Sequence, residues 1–147
     1  EHPATLAAMG LLAPARRHLG DLEAARDLEE KVLEAHTSAL GSDDPATLGA
    51  MSNLARTLWA LGDLTGARDL EEQALETSTR ALGPEHLDTL RCMDNLALTL
   101  AFLGDLDGAR RLLEQGLETR TRVLGPEHPD TLWTKDLLNA VLAAAAE

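Results

Sequence analysis

Apolar residues recur at three- and four-residue spacing along most of the chain. Between residues 45 and 61 the apolar positions are Leu48, Met51, Leu54, Ala55, Leu58 and Leu61. Between 64 and 82 they are Leu64, Ala67, Leu70, Ala74 and Leu75. Each set falls on one face of an α-helix. Gly62 and Asp63 separate the two segments, since glycine suits a left-handed turn and aspartate caps a following helix. The pattern predicts a helical hairpin with arms of about 25 Å.

This hairpin pattern repeats every 42 residues. Gly-Asp-Leu occurs at residues 20–22, 62–64 and 104–106, and Thr-Leu occurs at 5–6, 47–48, 89–90 and 131–132. Residues 43–84 and 85–126 are identical at 26 of 42 aligned positions. Neither helix of a hairpin can bury its apolar face alone, so the repeat predicts one structural unit that stacks on copies of itself.

The second copy carries the residues of a known repeat family. It reads Met51-x-x-Leu54-Ala55-x-x-Leu58-x-x-x-Gly62-x-Leu64-x-x-Ala67, followed by Ala74-Leu75. This resembles the tetratricopeptide repeat. The 42-residue period, Asn-Leu-Ala at 53–55 and 95–97, and the connector LGPEHPDTL at 124–132 resemble the kinesin-light-chain type in particular.

The resemblance covers essentially the whole chain and implies an all-α fold. The expected architecture is an α-solenoid of stacked antiparallel helical hairpins that forms a right-handed superhelix. We expect a single domain over residues 1–147, with repeats at about 1–42, 43–84 and 85–126 and a capping helix at 127–147.

The two ends of the chain depart from the repeat pattern. The first copy has Leu11-Leu12-Ala13-Pro14 where Asn-Leu-Ala-Arg is expected, and a proline at that position should kink or break the helix. The fourth copy has only its first helix, with Leu137 in the Asn slot. Such a terminal helix would expose an apolar strip, which predicts that the terminal helices could form a homodimer.

Composition and charge exclude several classes of partner. The chain is 44% hydrophobic but only 2% aromatic, and its formal net charge is −12 at pH 7. Binding of nucleic acid or of an acidic membrane needs a basic face, so we expect neither. The single Cys92 cannot form an internal disulfide, and no apolar run reaches about 18 residues. We interpret the chain as a cytoplasmic fragment of a longer protein.

The resemblance also implies where a ligand would bind. In the family, first helices line a concave groove that holds an extended or helical segment of a partner. Asn53 and Asn95 match the asparagine whose amide holds the ligand backbone, because a carboxamide both donates and accepts hydrogen bonds. The other positions expected at the groove are Ser52, Arg56, Arg91, Asp94, Leu98 and Trp133.

These groove assignments have alternatives. An asparagine inside a helix could be merely solvated or bonded to a neighbouring hairpin, and Trp133 could equally pack against the preceding hairpin. Only Arg56 and Arg91 bring positive charge to the groove, whereas Asp94 and Asp136 add negative charge. The sequence therefore favours a mixed or basic, partly apolar peptide as the ligand.

The connector also raises a chemical question. His128-Pro129-Asp130 is the triplet of J-domain co-chaperones, and a histidine beside a carboxylate could indicate a metal ligand or an acid–base pair. The equivalent triplets are His2-Pro3-Ala4, Asp44-Pro45-Ala46 and His86-Leu87-Asp88, so the three letters do not persist. Proline suits a first helical turn, and the histidine is predicted to be a cap or loop residue. With no phosphate loop, catalytic triad or metal spacing, we expect no enzyme activity, no metal and no cofactor.

Three functional hypotheses follow. The first is a protein-interaction scaffold that binds a peptide of a partner protein. The second is a sensor arm of a larger bacterial signalling ATPase, which an upstream phosphate-binding loop in the full-length gene would support. The third is a structural module that assembles with itself through its terminal helices and binds no peptide. Light scattering over a range of concentrations would test the third.

Overall fold

The computed structural model describes residues 2–147, and this range contains seven α-helices and no strand. The helices are α1 (Pro3–His18), α2 (Leu22–Leu40), α3 (Pro45–Ala60), α4 (Leu64–Leu82), α5 (Leu87–Phe102), α6 (Leu106–Leu124) and α7 (Pro129–Ala145). Helices of 16 and 19 residues alternate up to α6. The all-α helical repeat fold is therefore confirmed.

Glycine ends every helix that is followed by another. Gly62, between α3 and α4, has a φ of 84°, and Gly83, between α4 and α5, has a φ of 95°. A side chain with a Cβ atom is strained at such angles, so glycine allows the chain to reverse within three or four residues. The turns equivalent to these two also contain a glycine with positive φ.

Helix α1 is not broken at Pro14, which excludes one of the two effects expected there; the kink stays a prediction. The helix runs from Pro3 to His18 with the proline inside it. Proline lacks an N–H group and so removes the hydrogen bond to the carbonyl group of Gly10. Ala13, the preceding residue, is nevertheless buried, and α1 packs along α2. Packing of the helix face thus outweighs the loss of one backbone hydrogen bond.

The helices form two compact units. The first ends at Thr77 and the second runs from Ser78 to Glu147, so the boundary lies inside α4. In the first unit α2 packs against α1 and α3, and in the second α6 packs against α5 and α7. A shift of 84 residues relates α1, α2 and α3 to α5, α6 and α7, so the two units can be compared position by position.

The predicted apolar stripes form the cores of the units. In the first unit Leu48, Met51, Leu54 and Ala55 of α3 are buried. In the second unit the buried cluster consists of Ala97, Ala109, Leu113, Leu138 and Val141. Ala109 and its equivalents Ala25 and Ala67 have no exposed surface, as expected for positions where helices approach closely.

Candidate functional site

The connector histidines cap helices. The Nδ1 atom of His128 accepts a hydrogen bond of 3.1 Å from the backbone N–H of Asp130, and His86 and His2 do the same for α5 and α1. Asp44 takes the histidine position before α3, where its carboxylate accepts from the N–H of Ala46 at 2.8 Å. The prediction that these histidines are cap residues is confirmed, and their one imidazole acceptor is used by the backbone.

Most of the predicted groove residues reach solvent. In the first unit Arg56 is exposed, and Ser52 and Asn53 are partly buried on α3. In the second unit Arg91, Asn95 and Leu98 are exposed on α5, and Trp133 is 59% exposed on α7. The Arg91 guanidinium lies 3.5 Å from the carboxylate of Asp88, so a neighbour balances its charge. These exposed side chains are accessible to a ligand.

Asp94 does not border the surface as the sequence suggested. Its carboxylate is buried and lies 2.9 Å from the guanidinium of Arg120 on α6. The hydroxyl group of Thr134 on α7 accepts a hydrogen bond from Arg120 at 2.7 Å and donates one to Asp94 at 3.0 Å. Asp94 therefore joins the three helices of the second unit and offers no free charge to a ligand.

Burial dominates the electrostatics of this cluster. It raises the pKa of the Asp94 carboxyl above its usual value, and the Arg120 guanidinium and the Thr134 hydroxyl oppose only part of this effect. Gly116 on α6 leaves the space that Arg120 needs. A Cβ atom at Gly116 would lie 3.7 Å from Nη1 of Arg120, so any branched side chain there would compete with the guanidinium.

A second buried cluster joins the helices of the first unit. The Arg17 guanidinium on α1 lies 2.9 Å from the carboxylate of Glu29 on α2 and donates to the hydroxyl of Thr57 on α3 at 3.1 Å. It also lies 3.4 Å from the carbonyl oxygen of Asn53. Burial raises the pKa of the Glu29 carboxyl, against the lowering effects of Thr57 and Arg17. The cluster therefore places a guanidinium group and a carboxyl group between the three helices of the first unit.

Sequence reasoning missed both buried clusters. One signal was available: Arg120 follows Leu113 and Gly116 at helical spacing, so a charged residue falls on the buried stripe of α6. Glu29 likewise lies on the buried side of α2, while its neighbour Glu30 is exposed. The partners Asp94 and Arg17 belong to other helices and could not be read from the local pattern.

An apolar cavity opens between α5, α6 and α7. Its volume is about 220 Å³, and all its lining residues are Leu, Ala, Phe or Val. The predicted groove residue Leu98 is among them, together with Ala101, Phe102, Leu113, Ala140 and Ala144. Leu98 is 37% exposed and Phe102 is 61% exposed, so solvent reaches the rim. The cavity can therefore take an apolar group from outside.

The cavity exists because three of its lining residues are small. Ala101 corresponds to Trp59 in the preceding repeat, Ala140 corresponds to Leu98, and Ala144 corresponds to Phe102. Larger side chains thus occupy the same repeat positions elsewhere in the chain. These three alanines therefore leave more space than the equivalent residues of the preceding repeat would.

The described residues show neither a metal site nor a membrane span. Among residues 2–147 no three His, Cys, Asp or Glu side chains are grouped closely enough to hold a metal ion. Over the same range, none of the helices combines the length and the apolarity that a bilayer crossing requires. Cys92 is buried and forms no disulfide.

Known sequences identify the repeat. The tetratricopeptide repeat family model matches residues 4–79 and again residues 47–122, which together cover most of the chain. No curated protein sequence matches it.

Solved structures resemble the whole chain. A protein of Podosopora anserina, named as a kinesin light chain with nearly identical TPR-like repeats, is 29% identical with a TM-score of 0.88. A variant of that protein is also 29% identical, with a TM-score of 0.89. Both matches cover 99% of this chain and 69% of theirs. BtubC (BKLC) from P. vanneervenii has the same fold, with 24% identity, a TM-score of 0.86, and coverage of 96% of this chain and 56% of its own.

Proposed function

Because the chain belongs to the tetratricopeptide repeat family, we propose that it is a non-catalytic scaffold that binds a peptide segment of a partner protein. The observation that carries this proposal is the face shared by α5 and α7. There Asn95, Leu98 and Trp133 are exposed, and Leu98 lines an open apolar cavity. Asn95 lies one helical turn before Leu98, and Trp133 lies one turn before Leu137, which also lines the cavity. Exposed aromatic and aliphatic groups next to a hydrogen-bonding amide are the ordinary elements of a peptide-binding surface.

The polar groups of this face support a peptide ligand in particular. The Asn95 carboxamide can donate to a carbonyl group and accept from an N–H group, which is what an extended backbone offers. Asn53 and Ser52 occupy the equivalent positions of the first unit, beside the exposed Arg56. The tetratricopeptide repeat fold, which this chain shares with kinesin-light-chain repeats at 29% identity, is consistent with a protein-interaction scaffold.

Selection from a random twelve-residue peptide library tests the proposal. The affinity of a selected peptide is measured for the wild type, for Asn95→Ala and for Gln115→Ala. Gln115 is the control, because it is an exposed carboxamide on the second helix α6. We expect Asn95→Ala to weaken binding at least tenfold and Gln115→Ala to leave it within twofold. Equal effects of the two variants would contradict the proposed binding face.

Charge variants locate the ligand more closely. Arg91→Glu and Asp136→Lys change exposed charges on α5 and α7, and neither residue is buried. A basic peptide should bind more tightly to Arg91→Glu and more weakly to Asp136→Lys. Unchanged affinity for both variants would place the ligand elsewhere. Asp94 is unsuitable for this test, since its substitution would disturb a buried ion pair.

Self-association through the terminal helices is a second candidate function. Leu11 on α1 is 79% exposed and Leu142 on α7 is 43% exposed, so apolar side chains reach solvent on both helices. Light scattering of the wild type and of Leu11→Glu over a hundredfold range of concentration would test it. A mass that stays monomeric at the highest concentration would exclude this candidate.

A further inference from the structure

At the positions of the cavity between α5, α6 and α7, the first unit has a charged side chain that lies between its helices. In the first unit, the Arg17 guanidinium, paired with Glu29 and Thr57, joins α1, α2 and α3. The corresponding residues of the second unit are Ala101, Leu113 and Val141, and all three line the cavity. The fold therefore has a place for an inserted side chain that its own sequence fills in one unit and leaves open in the other.

The size of the cavity fits one apolar side chain. An apolar cavity of about 150 Å³ can hold a benzene molecule, the ring of a phenylalanine side chain. The volume here is about 220 Å³. This is below the range of about 300–1,000 Å³ typical of sites for whole small molecules. Because every lining residue is apolar, a charged or strongly polar group would lose its hydration without gaining a partner.

The surroundings favour positive charge next to that side chain. Asp136 is exposed on α7 four residues before Ala140, and residues at this spacing lie on the same side of a helix. No ion pair engages Asp136 anywhere in residues 2–147. The only cation among the predicted groove residues of the second unit, Arg91, is balanced by Asp88. The formal net charge of −12 adds a long-range preference for a basic partner.

We propose that the cavity of α5, α6 and α7 is an anchor site for one leucine, methionine or phenylalanine side chain of a basic peptide segment. The proposal rests on the proposed peptide-binding function and names the chemistry of its ligand. Trp133 and Ala144 are eleven residues apart on α7, or about 16 Å. That length accommodates about five residues of an extended peptide, with the anchor at the cavity and apolar contact at Trp133.

Three synthetic heptapeptides test the anchor and its charge separately. They are Gly-Lys-Lys-Phe-Lys-Lys-Gly, its Ala analogue at the central position, and Gly-Glu-Glu-Phe-Glu-Glu-Gly. Binding is followed by methyl NMR of Leu98, Leu113, Leu137 and Val141. We expect the basic Phe peptide to shift these methyl signals and to bind at least tenfold more tightly than either other peptide. Equal affinity of the Ala peptide or of the acidic peptide would overturn the proposal.

Variants of the cavity supply the matched control. Ala144→Phe and Ala140→Leu introduce the side chains that the preceding repeat has at the equivalent positions, Phe102 and Leu98, so both should fold. Ala143→Phe adds the same ring one residue away at an exposed position that does not line the cavity. We expect the two cavity variants to lose at least tenfold in affinity for the basic Phe peptide and Ala143→Phe to lose less than twofold.

The outcomes separate the anchor from the wider function. If library peptides bind in an Asn95-dependent manner but Ala144→Phe and Ala140→Leu bind them as the wild type does, the anchor site is wrong and the scaffold function stands. If the library yields no ligand and the basic Phe peptide leaves the cavity methyl signals unchanged, both the anchor site and the scaffold proposal fail. The thermal midpoints of all three variants show whether each of them folds. If only Ala140→Leu folds, its affinity for the basic Phe peptide still tests the anchor site.

Discussion

The two units have the same arrangement of helices, but they hold their buried polar groups at different positions along those helices. The first unit places Arg17, Glu29 and Thr57 where the second has Ala101, Leu113 and Val141. At another level the second unit places Asp94 and Thr134 where the first has Gly10 and Ala50. Val32 of the first unit occupies the position of Gly116, which leaves room for Arg120.

This difference shows which parts of the repeat are interchangeable. Helix lengths agree to within one residue and the turns are the same in both units, whereas some of the caps and the groups between the helices differ in chemistry. A buried ion pair can replace an apolar contact at one level if small residues elsewhere make room for it. The cavity has no ion pair, and three of its lining residues are alanines, so it is the place where we expect a ligand group.

Loss of the Arg120 guanidinium should have the largest effect. Arg120→Met leaves the Asp94 carboxylate buried without its cation, and we expect the free energy of unfolding at pH 7 to fall by about 3–5 kcal/mol. Arg17→Met should cost less, about 2–3 kcal/mol, because the Arg17 side chain is 12% exposed against 5% for Arg120, so its ion pair is less completely removed from water. Urea unfolding of both variants measures the difference. Equal losses would mean that the depths of the clusters do not matter.

The pH dependence of the Arg120→Met variant checks the cause. Without Arg120, the largest effect that opposes burial is lost, so the pKa of Asp94 rises further above the ordinary value of 3.8, and only the Thr134 hydroxyl still lowers it. The folded variant then binds more protons than the unfolded chain, so its stability falls as the pH rises above about 4. We expect its deficit against the wild type to be largest near pH 7 and to shrink towards pH 4. A deficit independent of pH would assign the loss to packing instead.

A transplant of the first cluster into the second unit should have the next largest effect. Leu113→Glu alone buries an unpaired carboxylate and should cost about 3 kcal/mol or more. The triple variant Ala101→Arg, Leu113→Glu, Val141→Thr reproduces Arg17, Glu29 and Thr57, and we expect its stability within about 1–2 kcal/mol of the wild type. Urea unfolding measures both. If the triple variant is no more stable than Leu113→Glu, the two sets of positions are not equivalent.

Removal of the helix caps should have a smaller effect, with a difference between the units. Asp44→Ala in the first unit should cost about 1–2 kcal/mol, and His128→Ala in the second about 0.5–1 kcal/mol. The aspartate is charged and forms the shorter hydrogen bond, 2.8 Å against 3.1 Å, at the positive end of a helix. Thermal unfolding checks this order. His128→Ala should leave peptide affinity unchanged, and a selective loss of binding would reopen a functional role for the connector.

The surface pairs should have the smallest effect. Arg68 and Arg110 lie 3.9 and 3.6 Å from Glu72 and Glu114, four residues later on α4 and α6. Such solvated pairs contribute about 0.2–0.5 kcal/mol. We therefore expect Arg110→Ala to change the free energy of unfolding by less than about 0.5 kcal/mol and Arg68→Ala to leave the urea midpoint unchanged. A loss of more than about 1 kcal/mol from Arg110→Ala, or a lower urea midpoint for Arg68→Ala, would contradict the assignment of these pairs to the solvated surface.

The features that the sequence predicted correctly depend on neighbours within the chain. The apolar stripe of α3 and the cap at His128 are each determined by residues at most a few turns apart, and the 42-residue period repeats such local patterns along the chain. The errors arise where distant residues meet. Asp94 was placed at the surface because its partners, Arg120 and Thr134, are 26 and 40 residues away. Of the kink or break expected at Pro14, the break does not occur, because contact with α2 compensates for the lost hydrogen bond.

The cavity could not be predicted for the same reason. Ala101, Ala140 and Ala144 are ordinary helix formers, and nothing in their local sequence shows that all three face one space. The repeat did contain a partial signal, since Trp59, Leu98 and Phe102 are large at the equivalent positions. A comparison of side-chain volumes between copies would have indicated a gap in the last hairpin. The predicted ligand residues Leu98 and Trp133 are consistent with a binding face there.

The turns between hairpins make the array simple to lengthen. Before α5, the His86 N–H bonds to the carbonyl group of Gly83, the Asp88 N–H to the His86 ring, and the Leu90 N–H to the His86 carbonyl group. All these bonds join residues at most seven positions apart along the chain. A duplicated 42-residue segment would therefore contain all the residues that form the turn between its hairpin and the next one. Gene duplication or protein design could therefore insert further hairpins at these turns without a change in the loop sequence.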